Sequence, residues 1–340
     1  MKQIRTEDAV GHVLCHDITQ IVKDVKKGVA FKKGHVVTEE DIPVLLSIGK
    51  EHLYIWEKDD NMLHENEAAQ ILYDICKNDY MEPSEVKEGK IEVIAQCDGV
   101  LKVDIERLFE INSIERIMIA TRHHNTQIKK SEKIAGTRII PLLIEKEAME
   151  GVKKVAGNKP LLKLMPYLHK KVGIVTTGSE VFKGRIKDAF GPVIRKKFEP
   201  FGAEILGQVI VEDKVERITE AIEGFLNQGA DIIVCTGGMS VDPDDVTPTA
   251  IGRTGANIIS YGAPVLPGAM FLLAYKGEIP IMGLPGCVMY AGATVFDLVL
   301  PRIMTGEKLS KRDLAALGHG GLCTGCKPCT YPHCSFGKGV

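Results

Sequence analysis

Three aspartates, Asp242, Asp244 and Asp245, follow the pair Gly237-Gly238 within eight residues, in the run Thr236-Gly237-Gly238-Met239-Ser240-Val241-Asp242-Pro243-Asp244-Asp245. Adjacent glycines admit positive φ and leave their amide N–H groups without a shielding Cβ, so such a loop can close on a phosphate or another anion. Carboxylates this close repel one another unless a cation or a helix N-terminus relieves them. Amides suited to an anion beside carboxylates suited to a cation suggest a phosphorylated ligand with a divalent metal. Gly237, Gly238 and the amides of Met239 and Ser240 would cradle the phosphate, with the Ser240 hydroxyl as a further donor. Asp245, with Asp242 beside it, is the first choice for Mg²⁺, a hard ion that prefers carboxylate oxygen and usually keeps water. The plainer reading is a strand–helix turn in which Asp244, Asp245 or Thr247 caps the helix.

The second chemical signal is the tail Cys323-x2-Cys326-x2-Cys329-x4-Cys334. A spacing of two residues lets neighbouring sulfurs reach one soft metal. Zinc takes four thiolates, with His319 or His333 able to replace one. An iron–sulfur cluster also takes four, and the spacing is similar to the bacterial ferredoxin run up to its third cysteine; both metals stay open here. Disulfides, disfavoured in a reducing compartment, and a reactive tail are the alternatives. Cys15, Cys76, Cys97, Cys235 and Cys287 are scattered and read as reduced core residues. His123-His124 reads as a solvated loop pair, with metal binding as the alternative.

The elements that position these residues alternate. Strands are expected at 172–176, 204–211, 230–235, 270–275 and 279–282, with helices at 190–201, 215–228 and 288–304. A helix after Asp245 would take Thr247 as its N-cap and Pro248 as its first residue. The 215–228 stretch shows the helical stripe Val215, Ile218, Ala221, Ile222, Phe225. Alternation of this kind makes an α/β fold, a doubly wound, mostly parallel sheet whose ligands sit beyond the carboxyl ends of the strands. Thr177-Gly178-Ser179-Glu180, Thr236 to Asp245, and Leu284-Pro285-Gly286 all follow strands and should share one edge. Thr177 and Ser179 can bind an anion there, and Glu180 can orient a hydroxyl or hold metal; the alternative is a turn with a solvated Glu180. Asp213 reads as a helix N-cap before Val215. The first half reads as a smaller mixed α+β region: Thr38 and Asp41 form a capping-box-like start for a helix at 42–48, 66–88 looks helical with turns left at its Pro83 end, and strands are expected at 91–95, 117–120 and 138–143. The expected domains are 1–58, 59–165, 166–309 and 310–340.

The composition, 44% hydrophobic and 26% charged over 340 residues with a net charge of −2, fits a soluble globular protein and gives no basic field for nucleic acid or an anionic membrane. No apolar run is long enough to span a membrane and the first residues lack a signal-peptide core, so a cytoplasmic location is expected.

Thr177-Gly178-x-Glu180, Thr236-Gly237-Gly238-x-Ser240-Val241 with Asp245, Pro267-Gly268 and Gly283-Leu284-Pro285-Gly286 occur in an order and spacing that resemble the molybdopterin-binding domain of molybdopterin molybdenumtransferases, the molybdenum insertases, over roughly 170–306. The run Asp8 to Ile18, the segment 31–56 and Ala135-Gly136-Thr137-Arg138 are similar to that family more loosely. The resemblance implies binding of molybdopterin or its adenylylated form with Mg²⁺, molybdate as co-substrate, catalytic roles for Glu180 and Asp245, acidic residues at 180, 213 and 245 near metal, phosphate or molybdate, and a homodimer. Pro267, Gly268, Pro285 and Gly286 would shape the pocket walls. The chain departs from the family at four points. It has no Asn-Ser-Ala-Met-Asp-Gly-Tyr-Ala-like run; Ser179 stands where the family has Asp; Asp242-Pro243 replaces a Gly; Met270 replaces a Pro. A non-catalytic carrier, chaperone or sensor, passing the cofactor to an acceptor protein, is the competing expectation. A different phosphoryl-ligand enzyme on the same fold is the third.

Overall fold

A computed structural model describes residues 2–22, 26–55, 61–240 and 242–339; Trp56 and Val241, parts of two of the motifs above, lie outside them. The chain divides into two units, Met1–Ile94 with Asp104–Thr121 and Lys133–Lys163, and Ala95–Val103 with Arg122–Glu132 and Leu164–Val340.

The first unit is mixed α+β. Its largest sheet orders the strands Met81–Pro83, Lys90–Ala95, Lys133–Ile139 and Ile117–Thr121. The helix Glu65–Cys76 buries Ala68, Ala69, Leu72, Tyr73 and Cys76, a stripe at helical spacing. It starts under a capping box in which the His64 ring accepts the Asn66 N–H and Glu67 reaches back to the His64 N–H. It stops at Cys76, ahead of the turns expected at the Pro83 end, because Lys77 is extended and Tyr80 turns to φ 63°. The expected Thr38–Asp41 box is half formed. The Asp41 carboxylate accepts the Thr38 N–H at 2.8 Å, but the helix Asp41–Ser47 has no side-chain N-cap.

The second unit carries a six-stranded sheet in the order Glu204–Val211, Lys171–Thr177, Ile232–Thr236, Ile279–Leu284, Leu272–Lys276, Asn257–Tyr261. The first four strands pair in parallel; the last two pairings are antiparallel. The α/β expectation is met. The edge strand Asn257–Tyr261 is the element that periodicity misses, because its residues are half exposed and carry no buried run.

Strand alternation sorts side chains onto the two faces. Val172, Ile174, Ile232 and Val234 join a core with Ile194, Phe198, Phe296, Val299 and Ile303 from the helices Phe190–Phe198 and Val295–Met304. Val175, Ile233 and Cys235 face Ile218, Ile222, Phe225, Ala250 and Ile251 from the helices Val215–Asn227 and Thr247–Arg253. Each fully buried side chain of this kind contributes roughly 1.5–3 kcal/mol. The last helix begins at Val295, not at 288. Pro285-Gly286 opens only the 3₁₀ turn Gly286–Met289, and Thr294 then starts the helix in a capping box with Asp297.

Candidate functional site

Parallel register fixes the edge on which the loops meet. Thr176 stands opposite Thr236, and Thr236 opposite Leu284, so three strands end level and Thr177-Gly178-Ser179-Glu180, Gly237 to Asp245 and Pro285-Gly286 leave the sheet side by side. Thr236 is fully buried, its hydroxyl 3.2 Å from that of Thr176.

Gly237 touches the neighbouring loop backbone to backbone: it sits at φ 88°, and a Cβ there would lie 2.0 Å from the Thr177 carbonyl oxygen. Only glycine meets both conditions. Thr247 holds the loop from behind, its hydroxyl donating to the Gly237 carbonyl at 2.9 Å and its N–H to the Gly238 carbonyl at 3.2 Å. Thr247 is therefore a brace and not the expected N-cap; Val246 takes that position, and no side chain caps the helix Thr247–Arg253. The buried Met239 side chain packs over Gly283. Ser240 is exposed and Gly237 and Gly238 are partly so, which leaves the outer side of the loop open.

Asp213 also differs from expectation. The helix Val215–Asn227 has no side-chain cap. The Asp213 carboxylate instead crosses to the first loop and accepts the Thr177 hydroxyl at 2.5 Å and the Ser179 N–H at 2.6 Å. Glu180 lies exposed in the short helix Ser179–Phe182. Tyr261 completes the frame from the edge strand, donating to the Met239 carbonyl at 2.9 Å and to the Ser240 carbonyl at 3.1 Å. Burial raises the Tyr261 pKa, and the charge of Asp245 raises it further. No signal in the sequence marks Tyr261, since its role depends on an edge strand with no apolar periodicity.

The aspartates do not converge into a ready cage. Asp242 and Asp244 are exposed. Asp245 closes a small turn, its carboxylate accepting the Asp242 N–H at 3.3 Å while its own N–H donates to the Asp242 carbonyl at 3.0 Å. Among the described residues no group of three or more His, Cys, Asp or Glu side chains meets at metal-holding distance.

The remaining residues expected at the site lie along the same edge. The Pro267 carbonyl accepts the Val295 N–H at 3.2 Å, and a Cβ on Gly268 would meet Val295, so Pro267-Gly268 seats against the start of the helix Val295–Met304. Beyond Pro285-Gly286 a cavity of about 610 Å³ opens, lined by Lys196, Phe201, Tyr290, Asp297 and Tyr331 among others.

Elsewhere in this unit, His124 is not the solvated residue its sequence suggests. Its Nδ1 accepts the Val103 N–H at 3.0 Å and burial lowers its pKa. All nine cysteines are free; Cys15, Cys76 and Cys235 are buried, and burial pushes the Cys76 and Cys235 thiols up to about 12.

Residues 173–305 match the family model described as "Probable molybdopterin binding domain", and 3–57 match one described as "Domain of unknown function (DUF8806)". The chain is similar to the molybdopterin molybdenumtransferase of Synechococcus elongatus, 24% identical over 179 residues, or 50% of this chain and 42% of the relative. It is also similar to a CinA-like protein of Mycobacterium avium, 36% identical over 83 residues, or 24% of this chain and 19% of the relative. The chain thus spans less than half the length of these relatives. Among solved structures, the tungsten cofactor synthesizing protein MoaB from Pyrococcus furiosus is 22% identical with a TM-score of 0.33, covering 40% of this chain and 91% of its own. Within the second unit it is thus residues 173–305 that match a molybdopterin-binding domain. No helix among the described residues is long and apolar enough to cross a membrane.

Proposed function

We propose that this domain binds molybdopterin, or its adenylylated form, by seating the phosphate on the Gly237–Ser240 loop, and acts in molybdenum-cofactor biosynthesis by promoting molybdate insertion. The observation that carries the reading is the backbone contact of Gly237 with Thr177 at the level ends of three strands. The contact holds the two loops together at the sheet edge, while Gly237 and Gly238 stay partly exposed and Ser240 exposed on the side where a phosphate would bind.

The chain's own residues divide the work. Loop amides and the Ser240 hydroxyl hold the anion. Asp213 ties the Thr177 hydroxyl and the Ser179 N–H to one carboxylate. Tyr261 and Thr247 fix the loop carbonyls. Asp245, with Asp242, suits Mg²⁺, since that ion is held by one or two carboxylates together with phosphate oxygens and water, not by a full protein cage. When bound, Mg²⁺ supplies charge neutralisation at the phosphate. Glu180, exposed in the short helix Ser179–Phe182, would orient a hydroxyl or the incoming oxyanion.

A second reading, a carrier that binds without turnover, is favoured by one observation: Asp245 already closes its own turn with Asp242, and Ser179 offers no carboxylate in its place. Purified protein mixed with adenylylated molybdopterin, Mg²⁺ and molybdate separates the two. Release of AMP that is lost in Asp245→Asn supports insertion. Tight binding with no AMP release leaves the carrier. Failure to bind molybdopterin at all removes both and leaves another phosphorylated ligand.

A further inference from the structure

The tail holds an unusual set of donors. Residues 314–340 contain the four cysteines, two histidines and two lysines, and no aspartate or glutamate. A hard ion finds no carboxylate there, whereas a soft or borderline ion finds four sulfurs. The segment has almost no regular structure, running from Gly318 as turns and bends with one bridge, Leu322 beside Leu266. Its apolar anchors are few: Phe336 is buried, and Tyr331 meets it edge-on at 6.2 Å. Segments this short in apolar area are ordinarily held by a metal or a disulfide.

The fold gathers the sulfurs. Cys323 is tied in place by its N–H to the Leu266 carbonyl at 2.8 Å. The Tyr331 hydroxyl donates to the Asp297 carbonyl at 2.7 Å, which pins the chain between Cys329 and Cys334. Cys329 lies on Gly292, where a Cβ would come within 2.8 Å of its Cβ and Sγ. All four cysteines, with Ala293, Tyr331 and Phe336, line one cavity of about 20 Å³. That volume is on the order of a single water or metal ion. The thiols ring the cavity without yet meeting at ligand distance, an arrangement that one ion draws together by closing the last ångströms.

We propose that Cys323, Cys326, Cys329 and Cys334 hold one zinc-class ion as a mononuclear four-thiolate site that closes the 323–334 segment on itself, where Cys329 packs on Gly292 ahead of the Val295–Met304 helix. Binding releases the thiol protons and leaves a net charge of −2 on the centre, with the Lys338 ammonium nearby, donating to the Pro332 carbonyl at 2.6 Å. The site does not depend on which ligand the glycine loop takes.

The test uses the full chain, purified anaerobically, stripped with chelator and titrated with Zn²⁺ and with Co²⁺. Native mass spectrometry is expected to show one zinc per chain, and cobalt to give the intense visible bands of a tetrahedral thiolate site. Cys329→Ser and Cys334→Ser should bind zinc at least tenfold more weakly, and Cys97→Ser as the parent does. Gly292→Ala, which keeps every thiol but displaces Cys329, should also weaken binding. Zinc should protect 323–338 from protease, and chelation should expose it. A chain that takes up no zinc while its four tail thiols react freely with or without the metal overturns the proposal. So does a brown chain carrying iron and labile sulfide in equal amounts.

Discussion

The Asp213 carboxylate receives the Thr177 hydroxyl at 2.5 Å, and its second oxygen takes the Ser179 N–H at 2.6 Å. One side chain thus ties the end of a central strand to the first turn that leaves it. Hydrogen bonds to a charged acceptor are worth about 1.5–3 kcal/mol each, and an asparagine in this place offers one oxygen and no charge. Asp213→Asn is expected to weaken molybdopterin binding by about tenfold, or roughly 1.4 kcal/mol, with the far-UV circular dichroism unchanged. Titration calorimetry beside a thermal melt checks this; unchanged affinity would remove Asp213 from the site.

Gly237 gives a stricter test. With φ at 88° and the Thr177 carbonyl oxygen 2.0 Å from its would-be Cβ, alanine must push two strand-end loops apart. A strained backbone costs about 1–3 kcal/mol before any clash is counted. Gly237→Ala should therefore lower stability by at least about 2 kcal/mol and abolish phosphate-dependent ligand binding. Gly224→Ala, mid-helix in Val215–Asn227 with open space at its Cβ, is the control and should be neutral or slightly stabilising. Equal behaviour of the two variants in denaturant melts and ligand titrations would show that the close approach does not matter.

Much of this was legible in the sequence because the second unit obeys simple periodicities. The stripe Ile218, Ile222, Phe225 and the buried runs 172–176 and 232–235 place helices and parallel strands, and strand ends place loops. What was not legible depends on contacts distant along the chain. Asp213 reads as a local cap because Val215 opens a helix two residues later, yet its partners are more than thirty residues away. Thr247 likewise has a cap's residue type, but it bonds back to Gly237. Tyr261 lies on a half-exposed edge strand that no apolar pattern marks. The Pro285-Gly286 turn looks like a helix start because the apolar residues run on without a break, and the real start is fixed by Thr294 and Asp297. In the first unit the short strands fall below the length at which alternation is readable.

The buried thiols make a chemical prediction. Burial pushes Cys76 and Cys235 up to about 12, far above an ordinary thiol. At pH 8 both stay protonated and walled off, so a thiol reagent should leave them unmodified in the folded chain. Exposed Cys326 is different: hydrogen bonds from the Thr330 backbone and hydroxyl lower its pKa, and in the metal-free chain it should react first. Mass spectrometry of partly labelled protein reads the order. Early labelling of Cys235 would mean that the strand beneath the glycine loop opens readily.

A final prediction concerns acid. Arg302, with its side chain only 6% exposed, pairs with Glu307 at 2.6 Å and Asp313 at 2.9 Å, and Lys102 adds a second cation to Glu307 at 2.6 Å. Burial works against charge on both acids. For Asp313 the hydrogen bonds from Ser310 and Arg302 outweigh it and hold the pKa at about 2, below its ordinary 3.8; Glu307 is lowered by Arg302 and Lys102. Acids with lowered folded pKa values stabilise the fold above their unfolded values, and that contribution is lost as pH falls through the folded ones. The second unit should hold its urea midpoint down to about pH 4 and then lose it steadily toward pH 2. Arg302→Met, which leaves two half-buried carboxylates unpaired, should cost on the order of 3 kcal/mol at pH 7 and flatten the fall below pH 4. An Arg302→Met curve parallel to the parent's at every pH would show that other acids govern the transition.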